Sequence, residues 1–452
     1  MQNTLEKNKT KTSIDIKEKN ILKLNDIVKF YQNNNTIEKF GLEYERLSLD
    51  KKTFKNASYD TVKKIIIDFS NILNWEIVYD NDTVIGTKDN HGNSVSLEPG
   101  CQMEISLPPL SNVFDIDLNL TKYVNLLDKI ADIYNVIFLG YGISPMSNAD
   151  NIELLNKRRY IIMNDYLPNC SYGELCPKMM RQTAGIQINV DYKNALDAYL
   201  KLEFLNKIIP FVSALFSNSP IENNTLTNFK SKRAQIWLFT GKDRCNLFYK
   251  NIFKGFNKKK NVFNNYIKSV LDVPMIFIQR NNTLIPIEGK INFNQYLKDG
   301  FRGHYASIED YILHASLCFP DIRLKKCIEI RNHDSADISS ALALCAFYKG
   351  LLNNDIEDLI KQFSYLKINK IEEYSKSAVS NGLDFKIDNT IWGWDVIAKL
   401  YKISLNSLST KERSYLTPIF NMIVKRKTKS DILIDYGFKK AADVVEFYLG
   451  IK

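Results

Sequence analysis

Four stretches of the chain alternate apolar and polar residues, and in each the polar side carries groups that a solvent-facing strand has little need of. In Phe40 to Ser48, FGLEYERLS, one side holds Phe40, Leu42 and Tyr44 and the other Gly41, Glu43 and Glu45. A strand turns successive side chains to opposite faces, so this pattern predicts a core face and a carboxylate face. In Ser96 to Leu107, SLEPGCQMEISL, alternation from Cys101 sends Met103, Ile105 and Leu107 inward and Gln102, Glu104 and Ser106 the other way. Pro99-Gly100 breaks the strand before it, since proline cannot continue a ladder and glycine accepts unusual dihedrals; Glu98 is thereby free to curl to the side of Glu104. In Arg181 to Tyr192, Ala184, Ile186, Ile188 and Val190 oppose Gly185, Gln187, Asn189 and Asp191, and in Lys326 to Arg331, Ile328 and Ile330 oppose Glu329 and Arg331.

Between these stretches lie short strands, Trp75 to Tyr79, Val84 to Thr87 and Ser94 to Leu97, joined by DND and DNHGN, which have the residues of tight hairpin turns. Val136 to Gly142 reads as a buried strand. Helical spacing takes over in Ser58 to Leu73, with Ser58 as N-cap, and in about Leu118 to Tyr134. Ala195 to Leu215 is helical with an interruption at Pro210, and Ser217 to Arg233 then forms a long polar loop, a length often associated with function. From Ser339 onward the chain reads as helix almost to its end, Trp392 to Leu400 and Asp443 to Leu449 most plainly. The expected fold class is α+β: an antiparallel sheet backed by helices, with a helical C-terminal part. Residues 1–25 are expected to be frayed or disordered and 26–452 to form a single domain.

With 452 residues, 45% of them hydrophobic, the chain has enough material for a large core. No run of about eighteen apolar residues suggests a membrane span, and the polar start lacks the apolar region of a secretion signal, so a cytoplasmic protein is expected. Seven cysteines without a CxxC, and four scattered histidines, argue against a disulfide framework or a zinc site. The net charge of +10 is spread along the chain; the basic run FNKKKN at Phe256 to Asn261 reads as a solvated loop, so no nucleic-acid partner is expected.

The polar faces are where chemistry is expected. Glu43, Glu45, Glu98, Glu104 and Glu329 cannot gather without counter-charge, because like charges a few ångströms apart raise one another's pKa. Divalent cations relieve that repulsion, and oxygen ligands without cysteine or histidine favour Mg²⁺ or Mn²⁺, usually in company with a nucleotide phosphate. The alternative is an open sheet that shows its carboxylates to water. GxxxxGK[ST] does not occur, which excludes the phosphate-loop route to ATP.

GLEYE, SLEPGCQMEIS, RQTAGIQINVDY, ALFSNSP, RAQIW followed by DR, LDVPM, FPDIRLKKCIEIR and WGWDV occur in an order that resembles glutamate-cysteine ligases of the plant and proteobacterial type, from about Gly41 to Asp395. The resemblance implies a glutamine-synthetase-like catalytic sheet and ATP-dependent formation of γ-glutamylcysteine from glutamate and cysteine through γ-glutamyl phosphate, the first step of glutathione biosynthesis. It implies a metal on Glu45, Glu98 and Glu104, a second on Glu43, Gln187 and Glu329, and Arg331 and Arg323 beside the transferring phosphate. Arg181 and Arg233, with Arg244, would hold glutamate's carboxylates, and Met275 and Phe277 would shape the cysteine pocket. Partners would be the three small substrates, without a membrane, in a monomer or homodimer. The chain departs from the family pattern at Cys101, where a second glycine is common, and in Arg331-Asn332-His333-Asp334, where an Arg-Gly-Ala-Asp-like run is common. An ATP-dependent glutamate ligase for another amine, and a non-catalytic binding protein of the same fold, are the competing readings.

Overall fold

The computed structural model describes residues 22–33, 38–245, 249–253, 259 and 261–451. Nine strands form one antiparallel sheet: β1 (Phe40–Asp50), β2 (Glu76–Asp80), β3 (Thr83–Lys88), β4 (Ser94–Leu97), β5 (Met103–Leu110), β6 (Val136–Leu139) and β7 (Gly185–Val190), with β12 (Ile322–Leu324) and β13 (Ile328–Asp334). Two small hairpins stand apart, β8 (Ile221–Glu222) with β9 (Thr225–Leu226) and β10 (Phe277–Arg280) with β11 (Thr283–Pro286). The order β12-β13-β7-β1-β5-β4-β3-β2 puts β1 in the middle, paired with β5 and β7 along its first half and with β6 along its second. All four alternating stretches therefore lie side by side at the centre of one sheet.

Helices cover the apolar face. Among the helices used below are α1 (Leu24–Tyr31), α2 (Tyr59–Leu73), α3 (Val113–Ile133), α4 (Arg158–Tyr166), α5 (Cys176–Gln182), α6 (Ala195–Leu215) and α7 (Lys232–Leu238). Ser58 caps α2 by accepting from the Thr61 amide, and Asn112 and Asn194 cap α3 and α6 in the same way. α3 packs on β5 and β6, α2 on β3, and the helix Ile338–Leu352 on β1 and β7. Leu42 and Tyr44 of β1, Met103 and Ile105 of β5 and Ile186 and Ile188 of β7 are fully or almost fully buried on that side. Helices continue from Ile338 to Tyr448, as expected.

Two expectations are corrected. α6 runs unbroken through Pro210; nearly every residue from Ala198 to Leu215 is buried, and that burial offsets the hydrogen bond the proline cannot make, a defect of about 3 kcal/mol. The Ser217 to Arg233 segment is not a free polar loop: Ser217, Asn218 and Ser219 are fully buried, and the Asp334 carboxylate accepts from the Asn218 amide and the Ser219 and Ser231 hydroxyls. Of the segment 1–25, residues 1–21 lie outside the described residues, and α1 already begins at Leu24. Residues 256–258 and 260 of the basic run also lie outside the described residues.

Candidate functional site

Strand register arranges the polar face in rows. Glu104 stands opposite Glu45 on one side and Ser96 on the other. In the next row Glu43 faces Ser106 and Gln187, and in the third Asn189 faces Gly41 and Glu329, which in turn faces Arg323. A bulge between Ile330 and His333 sets Arg331 and Asn332 together against Gln187. It keeps Arg331 on the polar face, where Nη1 donates to Gln187 Oε1 at 2.6 Å, and turns His333 into the core, against the Tyr348 hydroxyl.

Glu98 arrives through the turn between β4 and β5. Gly100 there is pressed so close to α5 that a Cβ would lie 2.2 Å from the Arg181 carbonyl oxygen. Cys101 takes the left-handed conformation, φ 61°, which accounts physically for a preference for glycine at that position. Over this floor opens a cleft of about 270 Å³. Glu43, Glu45, Glu98, Glu104, Gln187, Arg323 and Arg331 line it, with Lys157 just before α4, Arg159, Tyr160 and Met163 from α4, Met179 and Met180 from α5, Trp237 from α7, and Ser316 and Phe319 before β12.

The charges divide the cleft into two unlike halves. Among the described residues Glu104 accepts from the Ser96 and Ser106 hydroxyls alone, at 3.2 and 3.0 Å. Burial, and then the charges of Glu43, Glu98 and Glu45, push its carboxyl well above the usual range. Burial and then Glu98 raise Glu45 to about 7, although the Arg233 charge and the Gly185 amide, at 2.5 Å, work against the rise. Burial and then Glu329 raise Glu43 despite Lys325 and the Asn189 amide. At Glu329 the balance reverses: burial favours the neutral acid, but Arg323, Arg331 and Lys325 together hold it well below the usual range.

This split tests the two implied metal sets. Among the described residues no three histidine, cysteine, aspartate or glutamate side chains are drawn together as a finished metal site. Glu45 and Glu104, beside Glu98, nonetheless resist ionising because the protein does not balance their charge, and this oxygen set fits a hard cation that would do so. The set Glu43, Gln187 and Glu329 does not fit. Both Glu329 oxygens are taken by Arg323, Lys325 and Arg331, and Gln187 is spent on Arg331 and on Glu45 at 3.0 Å. Glu329 is an anchor for arginines.

Of the predicted binding residues, Arg323 and Arg331 line the cleft. Arg181 sits beside Met180 and bonds the Ile152 carbonyl and the Asn164 side chain. Arg233 lies over Gly185 on the polar side of the sheet, where a Cβ on Gly185 would come 2.3 Å from its Nη2, and that Nη2 donates to the Arg331 carbonyl at 3.0 Å. Arg244 is buried elsewhere, with both terminal nitrogens on the Leu317 and Pro274 carbonyls and its plane near the Tyr166 ring. Met275 and Phe277 are 0% and 1% exposed and belong to the core, so their alternation reflects packing and they form no wall of this cleft.

Lys157, Arg159, Tyr160 and Trp237 were missed; the KRRY run at 157–160 was the available signal. They matter because donors that are buried and have no partner among the described residues concentrate here: Arg159 Nε and Trp237 Nε1 on the lining, and Arg181 Nε and Arg233 Nε and Nη1 next to it. Buried donors left unpaired are costly, so this concentration marks a place for an anion.

The model of the family described as glutamate-cysteine ligase family 2 (GCS2) matches residues 39–446. The chloroplastic glutamate–cysteine ligase of Arabidopsis thaliana is 31% identical over 320 residues, 70% of this chain and 60% of that protein. The enzyme of the same name from Nicotiana tabacum is 26% identical over 405 residues, 88% of this chain and 76% of that one. The chain thus spans about three-fifths of the length of the Arabidopsis relative. In fold it is similar to the crystal structure of glutamate–cysteine ligase from Francisella tularensis in complex with AMP, at TM-score 0.57 and 13% identity, covering 93% of this chain and 88% of that one.

Proposed function

This chain belongs to glutamate-cysteine ligase family 2, and on that premise we propose that it joins L-glutamate to L-cysteine at the expense of ATP. The γ-carboxylate oxygen of glutamate takes the terminal phosphoryl group, releasing ADP; the cysteine nitrogen then attacks the acyl carbon, phosphate leaves, and the nitrogen gives up a proton. One observation carries the reading. A single cleft holds carboxylates with unbalanced charge in one half, and in the other arginines already fixed in place, with unpartnered donors around them.

The obstacle in the first step is charge, because an anionic carboxylate must meet an anionic phosphate. A hard divalent cation, Mg²⁺ or Mn²⁺, held by Glu45, Glu98 and Glu104, would supply neutralising charge between the two. Arg331 is oriented by Gln187 and Glu329, and Arg323 by Glu329 and the Ser316 and Cys318 carbonyls. Fixed in this way, they offer positive charge to the moving phosphoryl group without reorganising during the reaction. Lys157, Arg159 and the unspent nitrogens of Arg233 suit the carboxylates of the amino-acid substrates.

ADP formation measured with glutamate and a panel of amines tests the proposal, with the peptide product identified by mass. Cysteine-dependent turnover that yields γ-glutamylcysteine supports it. Turnover with another amine alone assigns a sister ligase activity, and no glutamate-dependent ADP with any amine overturns the reading.

A further inference from the structure

Among the charged side chains buried near the cleft, Asp334 takes no part in the chemistry proposed above. It is the last residue of β13, pairs with Gly185 of β7, and is 1% exposed. Alternation from His333, which points into the core, turns Asp334 to the polar side of the sheet, where the Arg233 guanidinium lies over Gly185. Both groups come in where a side chain is missing: a Cβ on Gly185 would meet Arg233 Nη2 at 2.3 Å, and one on Gly142 would meet Asp334 Cγ at 2.6 Å.

The Asp334 carboxylate is tied to the backbone that carries Arg233. Its Oδ2 accepts from the Asn218 amide at 2.8 Å and the Ser219 hydroxyl at 2.6 Å, and its Oδ1 from the Ser231 hydroxyl at 2.8 Å. Each hydroxyl passes the connection on: Ser219 Oγ accepts from the Arg233 amide at 3.1 Å, and Ser231 Oγ caps α7 by accepting from the Ala234 amide at 2.9 Å. One carboxylate therefore fixes the start of α7, and with it Arg233 and, one turn on, the Trp237 ring, whose centroid is 5.8 Å from the Arg233 guanidinium carbon. With its oxygens taken by these donors, Asp334 consumes none of the guanidinium's N–H groups, yet of the surrounding charges it favours the charged guanidinium most, ahead of Glu45. Arg323 and Arg331 differ, since Glu329 takes donors from both. Arg233 keeps Nε and Nη1 buried and without a partner among the described residues.

Resting on the ligase reading above, we infer that Asp334 is a positioning residue for substrate-carboxylate binding: it holds Arg233 in place through Ser219 and Ser231, and balances its charge without consuming the donors that an amino-acid carboxylate needs. A guanidinium binds a carboxylate best through two parallel N–H groups, and a fork fixed in advance loses less freedom on binding. Without Asp334 the strongest remaining attraction on that fork is Glu45, which would draw the free nitrogens to itself and away from substrate. The two roles that a neighbouring anion can play differ in sign. A negative charge that only lay close by would repel a carboxylate substrate, so its removal would tighten binding, whereas losing the group that positions Arg233 weakens binding.

The test measures kcat and KM for glutamate, the accepted amine and ATP in wild type, Asp334→Asn, Arg233→Gln and the double variant, each first checked for folding by thermal denaturation. Arg233→Gln identifies the amino acid whose carboxylate Arg233 takes, through a rise in its KM. Asp334→Asn keeps the shape but not the charge, and is expected to raise KM for that same amino acid by about tenfold while KM for ATP stays within about threefold. In the double variant Asp334→Asn adds less than about twofold to the effect of Arg233→Gln, because it acts through that side chain. Should Asp334→Asn fail to fold, Ser231→Ala, alone and with Arg233→Gln, is read in its place, with a rise of about threefold. An unchanged or lowered KM for both amino acids in either single variant, or a full tenfold effect on top of Arg233→Gln, overturns the inference while ligation continues. Wild type that forms no glutamate-dependent ADP with any amine would instead overturn the reading on which it rests.

Discussion

Glu45→Gln should make the metal-free protein more stable at pH 8, which is unusual for a residue placed at a reacting centre. Burial and the neighbouring Glu98 raise the Glu45 carboxyl from the usual 4.5 to about 7. Because the folded state holds this proton more tightly than the unfolded chain does, the stabilising contribution is complete below the unfolded pKa and is lost as pH rises towards 7. At about 1.4 kcal/mol per pKa unit, the loss across that window is about 3 kcal/mol. Glutamine removes the titration but keeps only one acceptor oxygen, where Glu45 serves both the Gly185 amide and the Gln187 side chain. The forfeited hydrogen bond costs about 1 kcal/mol, which leaves a net gain of about 2 kcal/mol at pH 8 and none at pH 4.5. Thermal and urea denaturation in EDTA at several pH values from 4.5 to 8 measures this directly. Mg²⁺ added at pH 8 should stabilise wild type and leave Glu45→Gln nearly unmoved. Parallel stability–pH curves for the two proteins would refute the charge argument, and equal stabilisation of both by Mg²⁺ would refute the placement of the cation.

Two further substitutions separate the reacting groups from their surroundings. Arg331→Lys keeps a positive charge but cannot hold Gln187 and Glu329 and still point a second donor at the phosphoryl group, so kcat should fall by about 100-fold with little change in the KM for ATP; a rise in KM alone would make Arg331 a ground-state contact. Phe277→Ala should cost about 3–5 kcal/mol of stability and leave the ratio of kcat/KM between cysteine and 2-aminobutyrate unchanged, since the ring is buried in the core; a shifted ratio would restore Phe277 to the amine pocket.

Legibility in the sequence followed the repeat of the backbone. Glu43, Glu45, Glu104, Gln187 and Glu329 lie in strands, where a period of two assigns a face residue by residue, and register then aligns those faces across the sheet. The opposite wall has no such code. α4 and α5 have nine and seven residues, too few turns for a periodic stripe, and they face the cleft with one polar and one methionine-bearing side that only tertiary packing distinguishes. Arg159, Tyr160 and Met179 therefore escaped, although the residues they face did not. Met275 and Phe277, which the resemblance suggested for the amine pocket, are buried in the core, where a Met and a Phe in alternation more often belong. Nor does sequence spacing reveal the bulge that sends His333 into the core just after Arg331.

Total charge says less about this cleft than its division. Lys157, Arg159, Arg323, Lys325 and Arg331 could in principle neutralise the five glutamates, yet three of these cations are spent on Glu329 alone. At an effective dielectric near 20, a pair of unit charges about 4 Å apart is worth about 4 kcal/mol, so moving a single arginine to Glu104 would remove most of the repulsion there. The sheet prevents the exchange: Arg323 stands directly opposite Glu329 across one ladder, Arg331 is held by the bulge and Gln187, and Glu104 lies two strands beyond β7 with Glu45 as its neighbour. Strand register thus maintains a separation that free side chains would annul. One half of the cleft is left short of positive charge, as the proposed cation site requires, and the other holds positive groups already fixed in place, as the proposed phosphoryl transfer requires. A protein whose acids merely faced water would have no reason to bury them, and in this one Glu43, Glu45 and Glu104 are all raised first of all by burial.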